Sequence, residues 1–146
     1  MSSDVGGAHL VLASDPLAVR DALRALIAAQ PLRDLSPSGR GTAELALAEA
    51  LNNIVEHAYA ATPGLIEVTL APCPTGIACR IEDAGSAMPG GHLPAGRLPD
   101  CIGVPTDDLP EGGFGWSLIR SLTVDLRYER AGGRNRLTFT LPPEGP

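Results

Sequence analysis

The sequence predicts an α+β fold in two layers, with helices covering one face of a mixed, largely antiparallel sheet. The hydrophobic period and the order of the segments that carry it lead there. Residues 17–27 and 42–60 repeat their apolar positions every three or four residues, whereas LIEVTL and GIACRIED alternate every second residue and TVDLRYER and RNRLTFTLP read as two further strands. Along the chain these give β-α-α-β-β-loop-α-β-β, with no internal repeat and no second core. A length of 146 residues suits one domain that buries about two-thirds of its unfolded surface, so residues 1–146 are read as a single domain.

The elements follow in order. HLVLAS, from His9 to Ser14, is a short apolar run suited to an edge strand. Asp15 offers an N-cap and Pro16 suits the first helical position. Leu17, Val19, Leu23, Leu26 and Ile27 then fall at helical spacing, while Arg20, Asp21 and Arg24 take the wetter side, and the helix is predicted to end near Pro31. LRDLSPSGRG reads as a connection to a second helix from about Thr42 to Ala60. After Pro63-Gly64 the period becomes two. Ile66, Val68 and Leu70 face one way, and Ile77, Cys79, Ile81 and Asp83 share a face of the next strand, across a turn carrying Pro72, Pro74 and Gly76. From Ala84 to Gly112, eleven of 29 residues are Gly or Pro, and a loop this long in a compact domain is functional or signals a missed element. A third helix is predicted from about Gly115 to Leu122, and a final hairpin turns at Ala131-Gly132-Gly133.

Composition narrows the chemistry. The chain is 44% hydrophobic and 19% charged, as an ordinary globular core requires, and its few aromatics (Tyr59, Phe114, Trp116, Tyr128, Phe139) make that core aliphatic. A net charge of −6 argues against broad electrostatic binding to nucleic acid. All eleven basic residues are arginine. The absence of lysine excludes Schiff-base catalysis, the P-loop lysine and the strand lysine of ordinary protein kinases. Cys73, Cys79 and Cys101 form no CxxC pair, which suits reduced thiols in the cytosol. No basic segment precedes an apolar run at the N-terminus, and no stretch approaches the roughly 18 apolar residues of a membrane span. A soluble, cytoplasmic protein is expected.

Chemistry-bearing residues gather in three places. On the second helix, Glu49, Asn53 and His57 lie at i, i+4 and i+8, on a different face from the core stripe of Leu47, Leu51, Ile54, Val55 and Ala58. They form either a solvated polar face or a general base one turn from an amide oxygen that suits a hard cation. The adjacent Asn52 points elsewhere on the helix. Asp83 continues an apolar strand face, so its carboxylate either caps the turn at Ala84-Gly85 or accepts a hydrogen bond from a ligand amine, with Gly85 letting the backbone pass close. Gly112, Gly113 and Gly115 run into the third helix. They make a hinge or a phosphate cradle at a helix N-terminus, which needs no lysine.

The order of these features resembles the N, G1 and G2 boxes of the histidine-kinase-like (GHKL) ATPase superfamily, whose domain has the Bergerat fold. EALNNIVEHAY, DAGSAMP, GGFGWSLIRSL and YERAGGRNRLTFTLP look like the anti-sigma-factor serine/threonine kinases of bacterial partner-switching systems, over about Ala43 to Leu141. The resemblance implies Glu49 as catalytic base, Asn53 as Mg²⁺ ligand, Asp83 as the acid reading the adenine amine with Gly85 and Met88 beside the base, and Gly113 and Gly115 as phosphate contacts. It makes residues 84–112, approximately, a lid. It implies ATP and Mg²⁺ as cofactors. The substrate would be a serine on a STAS-domain anti-sigma-factor antagonist, with a sigma factor or similar regulator as the sequestered partner, and the kinase a homodimer. The alternative is a non-catalytic module that binds ATP and sequesters a partner; an intact Glu49 favours the enzyme. A histidine kinase is disfavoured because no phosphoacceptor helical hairpin precedes the domain.

Departures from the family pattern are Ala87, where many relatives have glycine, and Trp116, where leucine is commoner. Arg97 is the lid's one basic residue, against Asp100, Asp107, Asp108 and Glu111. Arg120 and Arg136 are candidates for neutralising the γ-phosphate, or surface charges. Arg20 and Arg24 are expected either to meet an acidic partner surface or to be solvated. Arg127 and Arg130 are expected to be surface charge, and His57 a structural end-of-helix residue.

Overall fold

Five strands form one sheet in the order β1-β2-β3-β5-β4. They are β1 (Ala8–Ala13), β2 (Leu65–Cys73), β3 (Gly76–Asp83), β4 (Val124–Ala131) and β5 (Arg134–Leu141). This is a computed structural model, and it describes residues 6–91, 93 and 113–142. Every pairing is antiparallel, with no parallel pair of a mixed sheet among the described strands. Because β5 lies between them, β4 runs in the same direction as β3, and the chain reaches it through α3 (Gly113–Leu122). β1 is an edge strand, as its sequence predicts. The other edge, β4, carries a bulge between Val124 and Arg127, with Asp125 at φ +55°, a device that makes an exposed edge a poor template for further strands.

Two longer helices join α3 against the sheet. α1 spans Pro16–Ala28, with Asp15 accepting the Leu17 N–H and Pro16 in the first turn. α2 spans Pro37–Asn53, starting five residues before the expected Thr42. Ser36 Oγ accepts the Gly39 N–H at 3.0 Å, and Pro37 supplies the preset φ of a first helical residue. Part of the expected connection is therefore helix. The rest forms a 3₁₀ turn at Leu32–Asp34, and Arg40 caps it by donating to the carbonyls of Arg33 and Leu35. Beyond Asn53 the helix widens into a π-turn, Ile54–Ala58, closed by the Tyr59 N–H donating to the Ile54 carbonyl.

The core is aliphatic, as composition predicts. Ile66, Val68, Leu70 and Ile81 on the inner sheet face are closed off by Leu26, Leu47, Leu51 and Ile119 from the helices. The strand period then forces the intervening residues outward. There Arg80, Glu82 and Arg136 form an ion-pair cluster, with Arg136 Nε 3.1 Å from Glu82 Oε2. Truncating a side chain such as Leu47, which has no exposed surface, costs about 2–5 kcal/mol.

Candidate functional site

The inner sheet face ends in polar residues where β3 and β5 finish their apolar alternation. Asp83 closes the row Ile77, Cys79, Ile81, and Asn135 opens the row Leu137, Phe139, Leu141; the two are direct cross-strand partners. Both are buried, so each needs partners to offset desolvation. Asp83 Oδ1 accepts from the Gly85 N–H and from Asn135 Nδ2, each at 2.8 Å. Both bonds fall on one oxygen. Asn135 Nδ2 also donates to the Ser86 carbonyl, while its Oδ1 accepts from the Tyr128 hydroxyl and from Arg130 Nη1. Tyr128 Oη accepts the Met88 N–H at 3.0 Å, and Arg130 Nη1 reaches the Gly85 carbonyl at 2.7 Å. The expectation that Arg130 is mere surface charge is therefore corrected. It ties the segment after β3 to the terminal hairpin.

The same segment is fixed from the helix side. The Ser86 N–H donates to the Ala58 carbonyl at 2.8 Å, and Tyr59 Oη accepts the Ala84 N–H while donating to the Leu65 carbonyl. A Cβ on Gly85 would lie 2.3 Å from the Ala58 carbonyl oxygen. Glycine is required here by the π-turn, which approaches the strand end too closely for any side chain. π-turns concentrate at functional sites, and this one lets a helix terminus and a strand terminus share one wall.

On α2, Glu49 and Asn53 sit one turn apart, as their spacing predicts. Asn53 is buried and its Nδ2 donates to the Glu49 carbonyl at 2.9 Å. That bond commits the donor end of the amide and leaves Oδ1 as the group available to a ligand. α3 packs so closely that a Cβ on Gly115 would stand 2.7 Å from Glu49 Oε1 and 3.4 Å from Asn53 Nδ2. Glu49, Asn53 and Gly115 thus form one cluster, with the N-terminus of α3 beside it. The first N–H groups of a helix lack intrahelical acceptors, and its dipole favours an anion there.

A cavity of about 310 Å³ connects Asn53 of this cluster with Asp83. Asn53 and Asp83 both line it, together with Asn135, Tyr128, Met88 and an apolar wall of Ala50, Ile54, Trp116 and Leu137. A mostly apolar cavity with a buried carboxylate in its lining suits an amine-bearing heteroaromatic ring. Trp116 fills part of the wall and is 4% exposed. His57 also lines the cavity; it is exposed, at the end of the π-turn, with Nε2 4.0 Å from Glu56 Oε1. Glu49, Gly85 and Gly115 do not line the cavity. Glu49 and Gly115 adjoin it through Asn53, and Gly113 begins α3.

Arg136 is placed on the outer sheet face with Glu82 and Glu129, which removes it from the candidates for charge neutralisation. Arg120 lies exposed in the last turn of α3. Arg20 and Arg24 are exposed on α1. Arg97, Cys101, Gly112 and most of the lid segment lie outside the described residues. Among the described residues no group of three His, Cys, Asp or Glu could hold a metal ion. The Asn53 amide oxygen nevertheless fits Mg²⁺, which takes few protein ligands when it arrives with phosphate oxygens. Among the described residues, no helix is long and apolar enough to cross a membrane.

Sequence reasoning missed Asn135 and Tyr128. The signal was present: Asn135 interrupts the buried alternation of β5 at the end where Asp83 interrupts that of β3. Two polar breaks on one face mark a shared site once the strands are known to pair.

The profile of the histidine kinase-like ATPase domain matches residues 12–141. A protein of Bordetella bronchiseptica named serine/threonine-protein kinase BtrW is 38% identical over 104 residues, 69% of either chain. Proteins of Bacillus cereus and Bacillus anthracis named serine-protein kinase RsbW are 31% identical over 84 residues, 58% of this chain and 52% of theirs. The chain thus matches about half the length of those two relatives.

Proposed function

The chain belongs to the histidine kinase-like ATPase family, and on that premise we propose that it is an ATP- and Mg²⁺-dependent protein serine kinase and anti-sigma factor of a cytoplasmic partner-switching system. Its substrate is a serine of a STAS-domain antagonist, and its sequestered partner a sigma factor or similar regulator. The relatives' printed names support the kinase reading. The observation that carries it is the cluster of Glu49, Asn53 and Gly115 adjoining a cavity with Asp83 in its wall.

Asp83 Oδ2 accepts a hydrogen bond from the adenine amine, with Met88 and Trp116 on the apolar wall. The N–H groups at the start of α3, from Gly113 to Gly115, meet the phosphates. Asn53 Oδ1 would hold Mg²⁺, and the ion would supply neutralisation of phosphate charge. Glu49 takes the proton from the incoming serine hydroxyl as its oxygen bonds to the γ-phosphorus, and the bond to the β,γ-bridging oxygen breaks to release ADP. General-base assistance of this kind contributes about 10²–10⁴ in rate.

Incubation with γ-labelled ATP and a cognate STAS protein tests the reading. Label on a serine of the antagonist supports it. ATP binding with no transfer would leave a sequestering module, and no ATP binding would remove both.

A further inference from the structure

We infer that Asn135 is a positioning residue for base recognition: it fixes the Asp83 carboxylate so that Oδ2 presents a hydrogen-bond acceptor to a purine bearing a 6-amino group. This rests on the reading of the cavity as an adenine nucleotide site.

Asn135 has all four of its side-chain bonding positions filled. Its Nδ2 faces two acceptors, Asp83 Oδ1 and the Ser86 carbonyl, and its Oδ1 faces two donors, the Tyr128 hydroxyl and Arg130 Nη1. Turning the amide over would set oxygen against two acceptors and N–H against two donors, so its direction is locked. The donors run in one sense: Met88 N–H to Tyr128 Oη, Tyr128 O–H to Asn135 Oδ1, Asn135 Nδ2 to Asp83 Oδ1. A chain of this kind polarises cooperatively towards its final acceptor, here a carboxylate. Gly85 N–H donates to the same oxygen at 2.8 Å. With Oδ1 held twice, Asp83 cannot rotate about its last torsion without breaking a buried bond, and Oδ2 is the oxygen left for a ligand in the cavity that Asp83 lines.

The network also sets the wall beside the base. Arg130 holds the Gly85 carbonyl, Asn135 the Ser86 carbonyl and Tyr128 the Met88 N–H. The terminal hairpin therefore fixes the carboxylate and the adjoining backbone together.

The test compares affinities for ATP and for purine riboside triphosphate, which lacks only the 6-amino group, using the fluorescence of Trp116, the chain's single tryptophan. One hydrogen bond to a charged group predicts that the unaltered protein prefers ATP by about tenfold or more. In Asn135→Ala the preference falls to about threefold or less. A merely structural loosening would weaken both nucleotides equally and leave the ratio unchanged. Tyr128→Phe, which keeps the ring, lowers the ratio in the same direction by a smaller step and decides the matter if the alanine variant does not melt cooperatively. A full preference retained in a folded Asn135→Ala, or in Tyr128→Phe where the alanine variant is unfolded, overturns the role of Asn135. If the unaltered protein binds neither nucleotide, or both equally, the adenine reading itself fails.

Discussion

Gly115→Ala separates stability from chemistry at the cluster that carries the proposal. The new methyl carbon would lie 2.7 Å from Glu49 Oε1. The carboxylate must retreat by about 0.7 Å to reach the 3.4 Å of ordinary contact. It is the end of a flexible side chain, so the fold absorbs the change, and alanine is favoured over glycine in a helix by about 1 kcal/mol. The melting temperature should hold or rise. Catalysis cannot absorb it as easily, because a misplacement of about 1 Å costs on the order of 10²-fold in rate. The 3.4 Å approach to Asn53 Nδ2 is tight but tolerable, so ATP affinity should change little. Single-turnover transfer to a STAS substrate, with ATP affinity and thermal melting measured on the same sample, checks each part. A variant that transfers within about threefold of the parent rate would refute the placement of Glu49 against Gly115 in the working site.

Other perturbations probe neighbouring parts. Glu49→Gln should bind ATP almost normally yet transfer phosphate about 10²–10⁴ times more slowly, as measured by label incorporation. Gly85→Ala forces a Cβ to 2.3 Å from the Ala58 carbonyl, a backbone atom with little freedom to yield, and should lose about 1–3 kcal/mol in urea unfolding. Burial pushes the Cys79 thiol well above its ordinary range. Thiolate is the reactive form, so native protein at pH 8 should leave Cys79 unalkylated while the partly exposed Cys73 is modified, as peptide mass spectrometry can read.

Much of this arrangement was legible in the chain. Alternation in LIEVTL and GIACRIED placed Asp83 on the inner face, and the spacing of Glu49 and Asn53 placed them one turn apart, because both follow from local periods. The start of α2 was not legible. Gly39 and Gly41 lower helix propensity and mask the Ser36-Pro37 cap, whereas in the fold Gly39 is buried against the core. The outcome for Arg130 was also hidden. An arginine on an edge strand looks solvated until the hairpin brings it to Gly85, whose carbonyl lies 45 residues back along the chain. Gly85 also meets a second constraint, from within the chain. Its close neighbour is the Ala58 backbone, put there by a π-turn that the helical pattern of residues 42–60 did not disclose.

Titration calorimetry of the protein with ATP and with ADP, in the presence of Mg²⁺, bears most directly on the whole account. Saturable binding is expected, weakened by about 1–3 kcal/mol in Asp83→Asn, where a buried acceptor is exchanged for a group that can present N–H to the adenine amine. No heat of binding to either nucleotide, or equal affinity in the variant, would contradict it.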